Sequence, residues 1–226
     1  MALLYSGLGD RDLMLREESP ISSDDCFLCR PDRRLLFAEG ASFYVMLGLG
    51  PIVEGYSIMA TKQHIPSYLD LPPDLLDEYQ DFRERALGLI ARAYVRPVIT
   101  EHGRVPACDF YDREPNQAHC YHAHQLLFPA TIDLQAHLHQ EYGNYVLNFV
   151  DFHAAYEGMA SRKDEYLYFE GQDGACLVIP APHKHIRQYF RLLAAEAVGH
   201  PERTSWQGVP GWEMIEAALT RLNESR

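Results

Sequence analysis

Residues 119–129 read HCYHAHQLLFP, and their period decides how the rest of the chain is arranged. Histidine alternates with small or apolar residues, and the run closes on Pro129, which cannot continue a central strand. A period of two is that of a β-strand, in which alternate side chains share a face. Cys120, His122, His124 and Leu126 then line one side and Tyr121, Ala123 and Gln125 the other. Imidazole is neutral near pH 7 and nucleophilic at nitrogen. Two on one face therefore suit metal binding, or attack on phosphorus through a covalent phosphoramidate. In a chain with 11 histidines such a pair also arises by chance.

Working outward, residues 95–100 read as the preceding strand, joined to the histidine strand by a long polar loop over 103–118. Upstream, Leu75, Leu76, Tyr79, Phe82, Leu87, Leu89 and Ile90 recur at helical spacing after Pro72-Pro73, which predicts a helix over 73–94. SFYVMLGL (42–49) and GYSIMATK (55–62), separated by Gly50-Pro51, predict two antiparallel strands. Residues 1–25 read as an arm outside the ordered domain. Downstream, a short helix over 134–142 precedes strands at 145–149, 165–169 and 175–179. Two helices close the chain, 183–198 stopped by Gly199-His200-Pro201 and 211–223 after Pro210. The expectation is an α+β protein dominated by antiparallel strands: a domain over 26–150 and a helical C-terminal extension over 151–226 packed on it. GYSIMATKQHIPSYLDL (55–71) and ACLVIPAPHKHIRQYFRLL (175–193) echo one another weakly, so the extension also reads as a second half-unit.

Composition narrows the function classes. The chain has 226 residues, 47% of them hydrophobic, and a formal net charge of -12. That balance argues against binding a nucleic-acid backbone. Five cysteines, an odd number, and no charged-then-apolar leader predict a reduced, cytoplasmic protein. No apolar run approaches the roughly 20 residues that span a bilayer.

Beyond the histidine strand, several segments together resemble the histidine triad (HIT) superfamily, whose motif is His-φ-His-φ-His-φ-φ with φ apolar. Cys26-Phe27-Leu28-Cys29 resembles that family's N-terminal zinc-binding Cys pair, and FYVMLGLGPIVEGYSIMATKQH (43–64) its first hairpin, closed by Lys/Arg-x-His. Glu101-His102-Gly103, a loop and then CYHAHQLLFP are similar to the actinobacterial/Cwf19-like branch. The tail from Gln188-Tyr189-Phe190-Arg191 through Trp212 resembles the helical extension of that branch. The resemblance implies a HIT-like fold and a nucleotidyl hydrolase or transferase that acts on a nucleotide phosphoanhydride, phosphoramidate or phosphate ester. It also implies either a homodimer or a monomer whose two halves mimic one.

Aligning Pro129 with the closing proline of the branch puts His122, His124 and Leu126 in the three triad places and makes His124 the nucleophile. A second register uses Cys120, His122 and His124, with His122 attacking. In the first register the third place is Leu126, which has no hydrogen-bond donor for phosphate. Gln125 lies one residue early and needs a β-bulge to reach that face. Loss of one such donor costs about 2.7 to 4 kcal/mol of transition-state stabilisation. A donor recruited from His102 or Gln125, with Glu101 or His102 orienting groups nearby, would keep activity. Two rivals stand beside this reading. One is a degenerate nucleotide-binding protein without turnover. The other is a metalloenzyme in which His102, His119, His122 and His124 hold a catalytic ion.

Cys26-x-x-Cys29 has the spacing of a zinc knuckle, but two ligands are not four. The resemblance supplies His64 and His122 as the remainder of a structural Zn2+ site, with His119 or Cys120 as substitutes for His122. A redox or merely buried Cys pair is the alternative. Phe43 or Tyr44 stacking on a base, and Lys62, Gln188 and Arg191 meeting phosphate, complete the candidates for nucleotide binding. Cys108 and Cys176 read as core or loop thiols, and His137, His139, His183 and His185 as surface or capping residues.

Overall fold

The computed structural model describes residues 26–105, 122–182, 188–206 and 209–226. The arm 1–25, most of the polar loop, the residues 119–121 and the pair His183 and His185 lie outside the described residues, as does Cys108. The architecture is α+β. Among the described residues, eight antiparallel strands form one sheet in the order β1-β2-β3-β5-β4-β7-β8-β6. They are β1 (Leu36–Glu39), β2 (Phe43–Leu47), β3 (Ser57–Thr61), β4 (Val98–Gly103), β5 (His124–Phe128), β6 (Leu147–Phe149), β7 (Tyr166–Glu170) and β8 (Cys176–Pro180).

Side-chain alternation divides the sheet into two faces with separate cores. Met59, Ile99, Leu127, Tyr168 and Val178 meet α1 (Leu76–Ala93), α3 (Phe152–Met159) and α5 (Trp212–Glu224) in one core. Val98, Phe128, Leu167, Phe169, Leu177 and Ile179 meet α2 (Gln135–Tyr142) and α4 (Tyr189–Ala197) in the other. Helix α1 buries Tyr79, Phe82, Leu87, Leu89 and Ile90 of the stripe that the spacing predicts, together with Arg83 and Ala86.

Three local differences from the expectation have physical causes. The β4 strand starts at Val98 rather than 95, because Tyr94 caps α1 and Pro97 has no N–H to give a ladder. Strand β1 was not expected: it has four residues and an irregular register between Leu36 and Ala38. Helix α3 was not expected either. Only eight residues long, it is started by the Asp151 side chain, which accepts the Ala154 N–H at 2.8 Å.

The sheet runs unbroken through the expected boundary near residue 150. β4 pairs with β7 in register from Ile99↔Glu170 to Gly103↔Tyr166, while β6, from before that boundary, pairs with β8 beyond it. The C-terminal segment also closes on the β2–β3 hairpin. Gly50 donates its N–H to the Pro210 carbonyl, and at φ +60 a Cβ there would lie 2.3 Å from the Trp206 backbone, so only glycine fits.

Candidate metal centre and histidine site

The hairpin β2–β3 and the approach to β5 converge on the Cys26-x-x-Cys29 turn, which is closed by the Cys29 N–H bonding to the Cys26 carbonyl at 3.0 Å. Cys26, Cys29, His64 and His122 bring one ligand atom each to within 4.8 Å of one another. Cys26 Sγ is 3.3 Å from His122 Nδ1, and Cys29 Sγ lies 3.2 Å from His64 Nδ1 and 3.4 Å from His122 Nδ1. Ligands bound about 2.0–2.3 Å from a tetrahedral ion stand roughly 3.3–3.8 Å apart, so the observed separations of 3.2–3.4 Å lie at the short end of that spacing. The opposite nitrogen of His122 lies 2.7 Å from the Thr61 carbonyl. A carbonyl only accepts, so Nε2 carries the proton and Nδ1 turns its lone pair to the thiols, the outer bond that orients a ligand histidine. Among the described residues this is the one group of three or more such side chains close enough to share an ion.

His124, the first residue of β5, has a different environment from His122 two residues earlier. Its Nδ1 lies 2.8 Å from the His122 carbonyl and must donate, which leaves the Nε2 lone pair uncommitted to that bond. Burial holds the imidazole below its ordinary pKa and so neutral at pH 7, against the bond to the His122 carbonyl, which favours the charged ring. Ala60 faces it across β3. On the other side β4 and β5 pair Val98↔Phe128, Ile99↔Leu127 and Thr100↔Leu126, and His102 lies two residues beyond the last of these pairs, on the same face as Thr100. His102 Nε2 is 2.5 Å from Glu165 Oε1. Glu165 escaped the sequence reading, because the only trace of its partnership with His102 is the β4–β7 register. Thr100, across from Leu126, buries its hydroxyl with no partner among the described residues.

The remaining candidates are distributed less favourably for a ligand. No bulge interrupts β3–β5 pairing, so Gln125 stays on the α1 face, fully buried, and accepts the Tyr79 hydroxyl at 2.9 Å. Glu101 shares that face. Its Oε1 accepts the Tyr68 N–H at 2.9 Å, and burial raises its pKa to about 8. Phe43 packs fully buried against Tyr68, Tyr79 and Phe82, and Tyr44 donates its hydroxyl to the Leu28 carbonyl at 2.6 Å, so both are core residues. Lys62 pairs with Glu39 at 2.9 Å on the surface. Arg191 is buried and ties the Thr204, Gly50 and Arg203 carbonyls together, with its guanidinium over the Tyr56 ring. Gln188 opens α4 in the left-handed region, its Oε1 buried with no partner among the described residues. The Cys176 thiol lies against the Tyr168 hydroxyl at 3.1 Å, and burial pushes its pKa up to about 12, an inert core thiol as expected.

No protein-family model matches the chain, and no curated protein does. Among solved structures it is similar to a hypothetical histidine triad nucleotide-binding protein from Sulfolobus tokodaii strain 7. That match has 19% identity and a TM-score of 0.33, and covers 46% of this chain and 68% of the other. A Hit-like protein involved in cell-cycle regulation from Bartonella henselae matches at 12% identity and a TM-score of 0.34, over 49% of this chain and 79% of that one.

Proposed function

We propose that the chain is a nucleotidyl hydrolase or transferase in which His124 Nε2 attacks the α-phosphorus of a nucleotide. The observation that carries this reading is the bond from His124 Nδ1–H to the His122 carbonyl. It places the lone pair on Nε2, and it steadies the positive charge that appears on the ring as the N–P bond forms and the P–O bond to the leaving group breaks. Water or an acceptor then attacks phosphorus, the N–P bond breaks, and the imidazole returns to its first state. The motif resemblance to the HIT superfamily supports the same assignment. Leu126 offers the leaving group no donor, so substrates whose leaving groups depart as stable anions are favoured.

His122 belongs to the metal centre in this reading, with Cys26, Cys29 and His64 around structural zinc, and the donor set of two thiolates and two imidazoles suits that ion. When bound, zinc would supply a cross-link and no reaction step. It would fix the His122 backbone, whose carbonyl orients His124.

Cleavage of dinucleotides, nucleoside diphosphate sugars and nucleoside phosphoramidates, followed by phosphorus NMR, tests the proposal. Wild-type protein is expected to release a nucleoside monophosphate and His124→Ala to release none, with unchanged metal content and melting. Equal release by both proteins would refute it.

A further inference from the structure

The histidine site contains a carboxylate–imidazole pair that the attack by His124 does not use. His102 Nε2 lies 2.5 Å from Glu165 Oε1, and the side chains are 22% and 12% exposed. An ionised carboxylate only accepts, so Nε2 carries the proton and the lone pair sits on Nδ1. The two partners come from different strands. His102 lies in β4, two residues beyond the Thr100↔Leu126 pair that ends the β4–β5 ladder and on the same face as Thr100, near enough to His124 for the two imidazoles to act on each other electrostatically. Glu165 immediately precedes β7, whose pairing with β4 runs His102↔Leu167. The Glu165 backbone is held in turn by the Ala181 N–H at 2.7 Å. A carboxylate that orients an imidazole and offsets the charge it gains on protonation makes the other nitrogen a general base.

We infer that His102, positioned by Glu165, is the general base that activates water to resolve the nucleotidyl-His124 intermediate. The inference rests on the reading of His124 as the nucleophile. In the step, His102 Nδ1 takes a proton from water as the oxygen attacks phosphorus. The P–O bond forms, the N–P bond breaks, and its electron pair returns to His124 Nε2. The nucleoside monophosphate leaves, and the proton passes from His102 to solvent.

The test uses p-nitrophenyl esters of the four common ribonucleoside monophosphates, radiolabelled at phosphorus. Their aryl leaving group departs as the anion and needs no acid, so the first step is independent of His102. In His102→Ala, about one nitrophenolate per chain is expected in a burst, followed by turnover roughly a hundredfold or more slower than wild type, with label held on the protein. Glu165→Gln is expected to show the same pattern with a smaller loss. Fluoride carries no proton to remove, so it should resolve the labelled His102→Ala protein as fast as it resolves wild type. Normal turnover of His102→Ala while His124→Ala is inactive would overturn the base assignment alone. So would a burst slowed as much as the later phase, or a fluoride reaction slowed as much as the water reaction. Full turnover by His124→Ala, or no label on any variant, would overturn the nucleophile and the base together.

Discussion

At the scale of single residues, His122 and His124 show how one atom's partner sets a side chain's chemistry. Both are imidazoles on one short stretch, and both give a proton to a backbone carbonyl. His122 does so through Nε2 and turns Nδ1 to two thiols, whereas His124 does so through Nδ1 and keeps Nε2 for another task. Glu101 shows the same dependence on surroundings. Burial raises it from 4.5 to about 8, against the Tyr68 N–H, the Tyr166 hydroxyl and Arg104, with Asp70 pushing the same way as burial. A folded-state pKa above the unfolded one means that the native protein holds a proton the unfolded chain has lost. Stability from this group is therefore full below 4.5 and falls as pH rises through about 8. Glu101→Gln keeps the acceptor for Tyr68 and removes the titration. Denaturant unfolding across that interval should show the wild type losing a few kcal/mol that the variant retains, at about 1.4 kcal/mol per tenfold change in proton affinity. Parallel slopes for the two proteins would contradict the buried carboxyl.

Between elements, two junctions carry the site. The first is the Cys26-x-x-Cys29 turn, which touches β2 through the Tyr44 bond to Leu28 and reaches β5 through His122. Ala123, between His122 and β5, is held on both sides, its N–H to the Ile65 carbonyl at 2.6 Å and its carbonyl from the Thr61 N–H at 3.4 Å. Chelation should lower the melting temperature by several degrees, at about 2–4 °C per kcal/mol for a chain of this size. It should also make the buried Cys26 thiol reactive, and one zinc per chain should restore both. A chelated sample with unchanged melting would argue against a structural ion. The second junction is β4–β7, where Gly103 faces Tyr166. A Cβ at Gly103 would lie 2.2 Å from the tyrosine ring, whose hydroxyl accepts the Leu69 N–H at 3.3 Å. Gly103→Ala is therefore expected to cost about 1–3 kcal/mol by overpacking, read as a shifted denaturant midpoint with an unchanged slope.

For the molecule as a whole, the continuous sheet is the dominant feature. Strand β4 is paired with β5 over Val98–Thr100 and with β7 over Ile99–Gly103, so its β7-facing edge is not open for a second chain. Removal of residues 151–226 would strip β7 and β8 from the sheet and expose that edge along its length. A 26–150 fragment should associate or aggregate, whereas the full chain should elute near its 25.9 kDa mass. A monomeric, cooperatively folding fragment would show that β7 is dispensable. No helix among the described residues is long and apolar enough to cross a membrane.

Local pattern was enough to place α1, the β2–β3 hairpin and the β7–β8 hairpin, because a helix or strand buried on one side writes its period into the chain. The same period placed Gln125 opposite His124, and the structure keeps it there. The C-x-x-C spacing pointed to a metal, but its partners His64 and His122 came only by resemblance, since their separations of 35 and 93 residues from Cys29 are set by folding. Strand alternation offered one of Phe43 and Tyr44 to a base and the other to the core, and resemblance offered Arg191 to phosphate; packing buries all three. Short β1 and α3 left too few periods to read. The His102–Glu165 pair had no trace in the sequence at all. It exists because β4 pairs with β7 in the register His102↔Leu167, and strand register is a property of the assembled sheet.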